Sequence, residues 1–519
     1  MNRPETASSA LPQEVFDQVT QAWAIQDYAH GERLLAEACK AHPDHWHLRT
    51  CHAAAIAYCS RFTSARKAFD SLLADTPVGK EVHMHGLLGI EWCRIGRHDL
   101  AVPLLQFAVK APEAPAPVYE SLANALDHVR NPEEANAILD QGLALYAGHP
   151  GLILVRSRLQ RQAGEFNRAE ASAREILANP LSSPEVGAMA GHELGHALDA
   201  QGRYAEAFAA YSSAKKSRYA QLAPYRSIWE QGIRRVKQLP VPNAGVLAQW
   251  RDEARSTTTD PQPRLAMLVG CPRSGTTLLE RVIDSHPEVI SASETTIFNN
   301  LWSTRLRAMA GVTGIGAAIR TLSDDDVLQM RRSYHNQMED ALEQPVGDRL
   351  LLDKNPSSLT QLPVILRTFP DVKILMALRD PRAIAWSCFT QYLPDNSDSV
   401  AFNALDTTAA HVSAQLGFWL RMRAALPSGI WHETAYERMV GDFETESRNV
   451  LSFLGLAWDP CVADFHANPS PVRSPTYAEA ARPVYSHAVE KWRHYEEFMS
   501  GAFDELKPIT AKLFRQTEA

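Results

Sequence analysis

Apolar and polar positions follow two different rules along this chain. From residue 12 to about 220 the apolar positions keep a helical spacing, alanines are frequent, and few prolines fall inside the helices. The helices themselves recur. The small residue that opens every second helix falls at Gly31, Ala65, Ala101, Ala135, Ala169 and Ala207, with gaps of 34, 36, 34, 34 and 38. An aromatic precedes it by three positions at Tyr28, Phe62, Phe166 and Tyr204, and prolines near 43, 77, 112, 150 and 180 close the units. This predicts helical hairpins in which small residues allow close approach. No hairpin buries its apolar face alone, so the units must stack into a superhelix. After Tyr219 a further helical segment, IWEQGIRRVKQL, runs into Pro240-Val241-Pro242. A helix near 245–255 then leads to STTTDPQPR, a joint marked by proline and small polar residues. From residue 264 the rule changes. Short apolar runs (RLAMLV, EVISAS, VKILMAL) alternate with amphipathic helices, which predicts an α/β layer with a parallel sheet.

Composition narrows the class. A chain of 519 residues allows about three domains. With 45% hydrophobic and 22% charged residues it is not disordered as a whole. No apolar run reaches the roughly 18–20 residues of a membrane span, and the N-terminus lacks a basic-then-apolar signal, so a soluble, cytoplasmic protein is expected. Seven scattered cysteines without a C-x-x-C pair fit free thiols in a reducing compartment. A net charge of −8 argues against bulk nucleic-acid binding, although a local basic pocket is compatible with it.

The candidate chemistry lies in two places. His192-Glu193-Leu194-Gly195-His196 spells H-E-x-x-H, the helical zinc-protease signature. Leu194 and Gly195 already fit the repeat's packing positions, and Asp199 and Gly202 stand where the extended motif continues, so we read the match as a decoy. The stronger candidate follows the strand at 264–269. There Gly270-Cys271-Pro272-Arg273-Ser274-Gly275-Thr276-Thr277 enters a helix, a turn whose backbone N–H groups and helix dipole favour an anion. A nucleotide triphosphatase or nucleoside kinase would carry lysine where Thr276 stands; Arg273 supplies charge from the other side of the loop.

The repeat period resembles that of the tetratricopeptide repeats, in about six units. The segment PRSGTTLLERVIDSHPEVISASET resembles the 5′-phosphosulfate loop of the sulfotransferases. A second block, Arg379-Asp380-Pro381-Arg382 with Ser387, resembles that family's 3′-phosphate site; a guanidinium and a hydroxyl suit a dianionic phosphate. Residues 435–465 resemble the helix behind the nucleotide, and Thr476 through Lys491-Trp492 the segment that closes over it. The expected organisation is a disordered tail (1–11), tetratricopeptide repeats with a capping helix (12–238), a linker (239–263) and a sulfotransferase domain (264–519).

The resemblance implies 3′-phosphoadenosine 5′-phosphosulfate (PAPS) as donor, no metal, and sulfuryl transfer to an acceptor hydroxyl or amine. By the same resemblance, which is nearest to the tyrosylprotein sulfotransferases, Glu294 is the general base and Lys354 stabilises the leaving phosphate. Arg273, Ser274, Gly275, Thr276, Thr277, Arg379, Ser387, Tyr436, Thr476, Lys491 and Trp492 hold the donor. That branch has an acidic residue before the base and an arginine two residues after it. Ser293 and Thr296 stand there in this chain, so acidic-peptide recognition does not carry over. The insert at 391–415 is expected to help shape the acceptor cleft. The acceptor class (peptide, glycan, lipid or small molecule), a protein or peptide partner for the repeats, and homodimerisation stay open. A non-catalytic interaction protein with a nucleotide-binding domain is the alternative.

Overall fold

The computed structural model describes residues 13–25, 27–257, 264–309, 315–393, 396–468 and 488–514. Its N-terminal part is six antiparallel helical hairpins. They pair α1 (Gln13–Ala24) with α2 (Tyr28–Ala41), α3 (Trp46–Tyr58) with α4 (Phe62–Ala74), and α5 (Glu81–Arg94) with α6 (His98–Ala108). Next come α7 (Ala116–His128) with α8 (Pro132–Leu145), α9 (Pro150–Gln162) with α10 (Phe166–Ala178), and α11 (Pro184–Ala200) with α12 (Tyr204–Ser217). The aromatics Tyr28, Phe62, Phe166 and Tyr204 each open a second helix, as their spacing predicts. Ala65, Ala101, Ala135, Ala169 and Ala207 have no exposed surface, because each lies where the two helices of a hairpin touch. Gly31 takes this role in the first hairpin, where a Cβ would come within 2.3 Å of the Trp23 indole. Pro150 is the first residue of α9, where its missing N–H costs nothing, and so opens a unit instead of closing one.

The helix Ala244–Thr257, inside the stretch read as a linker, is tied to the C-terminal half. Arg251 Nε donates to the Pro370 carbonyl at 3.2 Å, and Glu253 pairs with Arg367 at 2.9 Å.

The C-terminal half is built on five parallel strands in the order β2-β3-β1-β4-β5. They are β1 (Leu265–Gly270), β2 (Val289–Ser293), β3 (Leu350–Lys354), β4 (Lys373–Leu378) and β5 (Trp431–Ala435). β1 and β3 are buried at every position; β1 therefore reads as a continuous apolar run without alternation, and β3 buries Asp353 and Lys354 at its end. One face of the sheet, with Ala266, Leu268, Leu352 and Leu375, packs on Leu279, Val282, Val450 and Leu451. The other, with Met267, Val269, Met376 and Leu378, belongs to an apolar cluster that continues into the helical array. The chain order reverses at β1, between β3 and β4, so the loops after β1 and β4 meet at the carboxyl edge of the sheet. Ligands of open α/β sheets bind at such a crevice.

Candidate active site

β1 ends at Gly270, where a side chain has no room: a Cβ would lie 2.6 Å from Ser274 Oγ and 2.8 Å from the Ala377 carbonyl. The chain then turns through Arg273 (φ +69°) and Gly275 (φ +97°) into the helix Thr276–Asp284. A left-handed L-residue costs about 1–2 kcal/mol, so Arg273 is held by its surroundings. Those surroundings are the second loop. Arg273 Nε donates to Ser387 Oγ at 3.0 Å, and Arg379 Nη1 donates to the Arg273 carbonyl at 3.2 Å. Arg379 also reaches the Ala488 carbonyl and lies 4.6 Å over the Tyr436 ring. Two segments 106 residues apart thus form one cationic pocket. Inside it, Ser274 Oγ is buried without a hydrogen-bond partner among the described residues, and the helix N-terminus at Thr276 has no side-chain cap. An orphaned hydroxyl, open N–H groups and two guanidinium groups are a donor set that fits a phosphate-bearing ligand.

Glu294 and Lys354 stand at the ends of the adjacent strands β2 and β3, and Lys354 is in register with Ser293. Glu294 takes a left-handed conformation (φ +51°), fixed by its N–H donating to the Lys354 carbonyl. Lys354 Nζ contacts Glu294 at 2.7 Å and Glu280 at 3.1 Å. The lysine side chain has no exposed surface, whereas that of Glu294 is 38% exposed. Burial works against the charge on Lys354, but Glu280 and Glu294 outweigh it and hold its pKa above the ordinary lysine value. Glu280 was missed in sequence. It also accepts from Ser291 Oγ at 2.8 Å and Ser293 Oγ at 3.2 Å. Its only signal was a carboxylate one turn into an otherwise apolar helix face. Asp353, bonded by the Tyr334 hydroxyl at 2.7 Å, is pushed up to about 7 by burial. A cavity of about 400 Å³ opens beside β2, lined among others by Arg97, Asp99, Glu280, Ser293, Thr295 and Glu343.

The remaining candidates divide. Trp492 is buried beneath the Arg382 guanidinium, 4.1 Å from its ring centre, and Lys491 pairs with Asp199 of α11. Trp492 thus packs against the second loop, and Lys491 reaches across the seam between the array and the C-terminal half. Thr476 and the segment around Arg482-Pro483-Val484-Tyr485 lie outside the described residues. The H-E-x-x-H residues face the same seam. His192 Nδ1 bonds the Thr390 carbonyl at 2.9 Å, the Tyr211 hydroxyl bonds His196 Nδ1 at 2.8 Å, and Glu193 pairs with Arg161 at 2.8 Å. Burial first, then the Lys215 cation near His192 and Arg161 near His196, holds both imidazoles well below their usual pKa. Within the insert, Lys215 Nζ donates to the Gln391 carbonyl at 2.7 Å, and Val400, Ala401 and Phe402 are buried.

A model described as "Sulfotransferase family" matches residues 266–460, the stretch that holds the sheet and the loops of Arg273 and Arg379, so the C-terminal half is similar to that family. An uncharacterized protein of Aquifex aeolicus is 24% identical over 428 residues, covering 80% of this chain and 53% of that protein. A putative protein-tyrosine sulfotransferase of Caenorhabditis briggsae is 25% identical over 214 residues, 39% of this chain and 69% of that protein. The sulfotransferase domain of the Synechococcus PCC 7002 olefin synthase, a solved structure, aligns at 17% identity and a TM-score of 0.34, covering 46% of this chain and 90% of that domain. The chain spans about half the length of the Aquifex relative. No helix among the described residues is long and apolar enough to cross a membrane.

Proposed function

We propose that this protein is a PAPS-dependent sulfotransferase acting on an acceptor hydroxyl or amine. The observation that carries the reading is the tie of Arg273 to Ser387 and Arg379, which joins two separate loops into one anion pocket. Arg273, Ser274, Gly275, Thr276 and Thr277 would hold the 5′ end of the donor, and Arg379 and Ser387 its 3′-phosphate, with Tyr436 beneath Arg379. Bound there, the donor supplies an activated sulfuryl group. Glu294, the more exposed partner of the buried lysine, takes the proton of the acceptor. A positioned base of this kind is worth about 10²–10⁴-fold in rate. Lys354 has two duties in sequence. It first holds the Glu294 carboxylate at 2.7 Å. Once that carboxylate is protonated its grip weakens, and the ammonium is released toward the negative charge growing on the leaving phosphate. A cation in such an enclosed site is worth more than one in water.

The array is read as tetratricopeptide repeats within 12–238, joined by 239–263 to a catalytic domain at 264–519, in a cytoplasmic protein. Relatives named as protein-tyrosine sulfotransferases support a protein or peptide acceptor. Ser293 and Thr296 depart from the acidic-peptide pattern of that branch, so the acceptor sequence is expected to differ. Exchanging the insert at 391–415 should change acceptor choice while donor binding survives; an unchanged acceptor profile would discard its role.

The direct test is binding of 3′-phosphoadenosine 5′-phosphate (PAP) to the full chain, together with a donor-labelled transfer assay against peptide, glycan and small-molecule acceptors. Arg379→Ala should weaken PAP binding by about 10–100-fold, the worth of a charge-assisted contact. Wild-type protein that neither binds PAP nor transfers the label would refute the reading.

A further inference from the structure

The first helix of hairpins two to six ends in one and the same turn. The residue after the helix cap is left-handed, its N–H bonds the carbonyl three residues back, and the following N–H bonds the carbonyl five residues before it. Glycine holds the left-handed position at Gly96, Gly164 and Gly202, with φ between +75° and +80°. The second and fourth hairpins break the rule with Ser60 (φ +62°) and Arg130 (φ +64°). A side chain is disfavoured in this conformation, and such departures from local preference collect at functional contacts.

The hydroxyl that Ser60 places there is used outside the array. The N–H of Thr296 donates to Ser60 Oγ at 3.1 Å, and Thr296 Oγ1 donates to the Tyr58 carbonyl at 3.0 Å. Thr296 lies two residues beyond Glu294. From the opposite side, the Lys354 carbonyl accepts the Glu294 N–H, and Asn355 Nδ2 donates to the Thr295 carbonyl at 2.7 Å. The three residues from Glu294 to Thr296 are thus clamped between the end of β3 and the second hairpin. Glu294 has its own left-handed backbone inside this clamp.

We infer that Ser60 is a positioning residue for Glu294: the helical array sets the conformation of the loop that carries the base. Removing its hydroxyl releases the Thr296 N–H, and the loop keeps only the Thr296 hydroxyl bond to Tyr58 as its outer anchor, while the donor pocket, made by Arg273, Arg379 and Ser387, is untouched. The inference rests on the reading of Glu294 as the base.

The test is Ser60→Gly in the full-length chain. Glycine is what three other hairpins use at this position, so the thermal midpoint should hold or rise and PAP affinity should stay the same. Amide exchange at Thr296 should quicken. With the best acceptor from the labelled screen, kcat should fall roughly 10-fold with little change in KM, because small misplacements of a reacting group are costly. In the Glu294→Gln background the same change should leave the residual rate where it is, since residues acting as a unit are not additive. An unchanged kcat in Ser60→Gly, or an equal fall in the Glu294→Gln background, overturns the positioning role. Absence of sulfuryl transfer by the wild type overturns the sulfotransferase reading and this inference with it, and is read without any variant.

Discussion

The array leaves much of its charge on open helix surfaces, whereas the C-terminal half encloses a lysine between two carboxylates. Pairs within the array such as Arg156–Glu175 (3.0 Å) and Arg168–Glu165 (2.8 Å) lie open to water on helix surfaces. Exposed pairs of this kind contribute about 0–1 kcal/mol, so the array rests on close packing at its alanines and on one turn repeated hairpin after hairpin. The C-terminal half encloses Lys354 between Glu280 and Glu294 and sets Asp353 beside it. Removing one member of a buried pair costs about 3–5 kcal/mol, because the other charge is left without compensation.

That contrast can be broken in several ways, and the largest expected effect is on rate. Glu294→Gln should leave PAP affinity intact and lower sulfuryl transfer by about 10²–10⁴-fold; full activity in this variant would exclude Glu294 as the base. Next is stability. Lys354→Met is expected to cost about 3–5 kcal/mol, against about 0–1 kcal/mol for Arg156→Met in the array, both by denaturant titration. Equal losses would erase the distinction between the two halves. At the seam, Gly195→Ala tests whether the H-E-x-x-H segment is packing. Its Cβ would lie 2.4 Å from the Tyr211 ring, so overpacking should cost about 1–3 kcal/mol. No loss there would reopen the motif.

The last expected effect is a pH dependence in which the halves oppose each other. His98 and His128, stacked at 3.9 Å in the array, are lowered to about 3 and about 4, chiefly by burial. Their unfolded forms bind protons first, so their contribution is present above about 6.5 and is lost as pH falls toward 4. Asp353 runs the other way. Its folded pKa of about 7 exceeds the ordinary 3.8, so its contribution is present below 3.8 and is lost as pH rises toward 7. Asp353→Asn should therefore make the melting temperature climb more steeply between pH 4 and 7 than in wild type. Identical slopes would show that Asp353 does not titrate in that range.

The same contrast governs how much could be read from the chain. The hairpins were legible because their contacts are local: a small residue every 34 positions meets the helix just before it, and sequence spacing is then a spatial rule. The loops of Arg273 and Arg379 were legible as separate motifs, each a strand end with its own helix. Glu280 was not, because a carboxylate within the helix TTLLERVID has no pattern until β2 and β3 bring Glu294, Ser291, Ser293 and Lys354 around it. Lys491 and Trp492 have partners that no local pattern shows: Asp199 of α11 pairs with the lysine, and Arg382 of the second loop covers the ring.

By itself, the sequence determined the period of the array, the alternation of strands and helices, and the residue types able to grip phosphate, because each depends on neighbours a few positions away. Only the tertiary structure decided the strand order that places β1 between β3 and β4, and with it the meeting of Arg273, Ser387 and Arg379. It also decided that Thr296 is held by Ser60, 236 residues earlier. Such pairings are chosen by the burial of whole apolar faces, which no local pattern encodes.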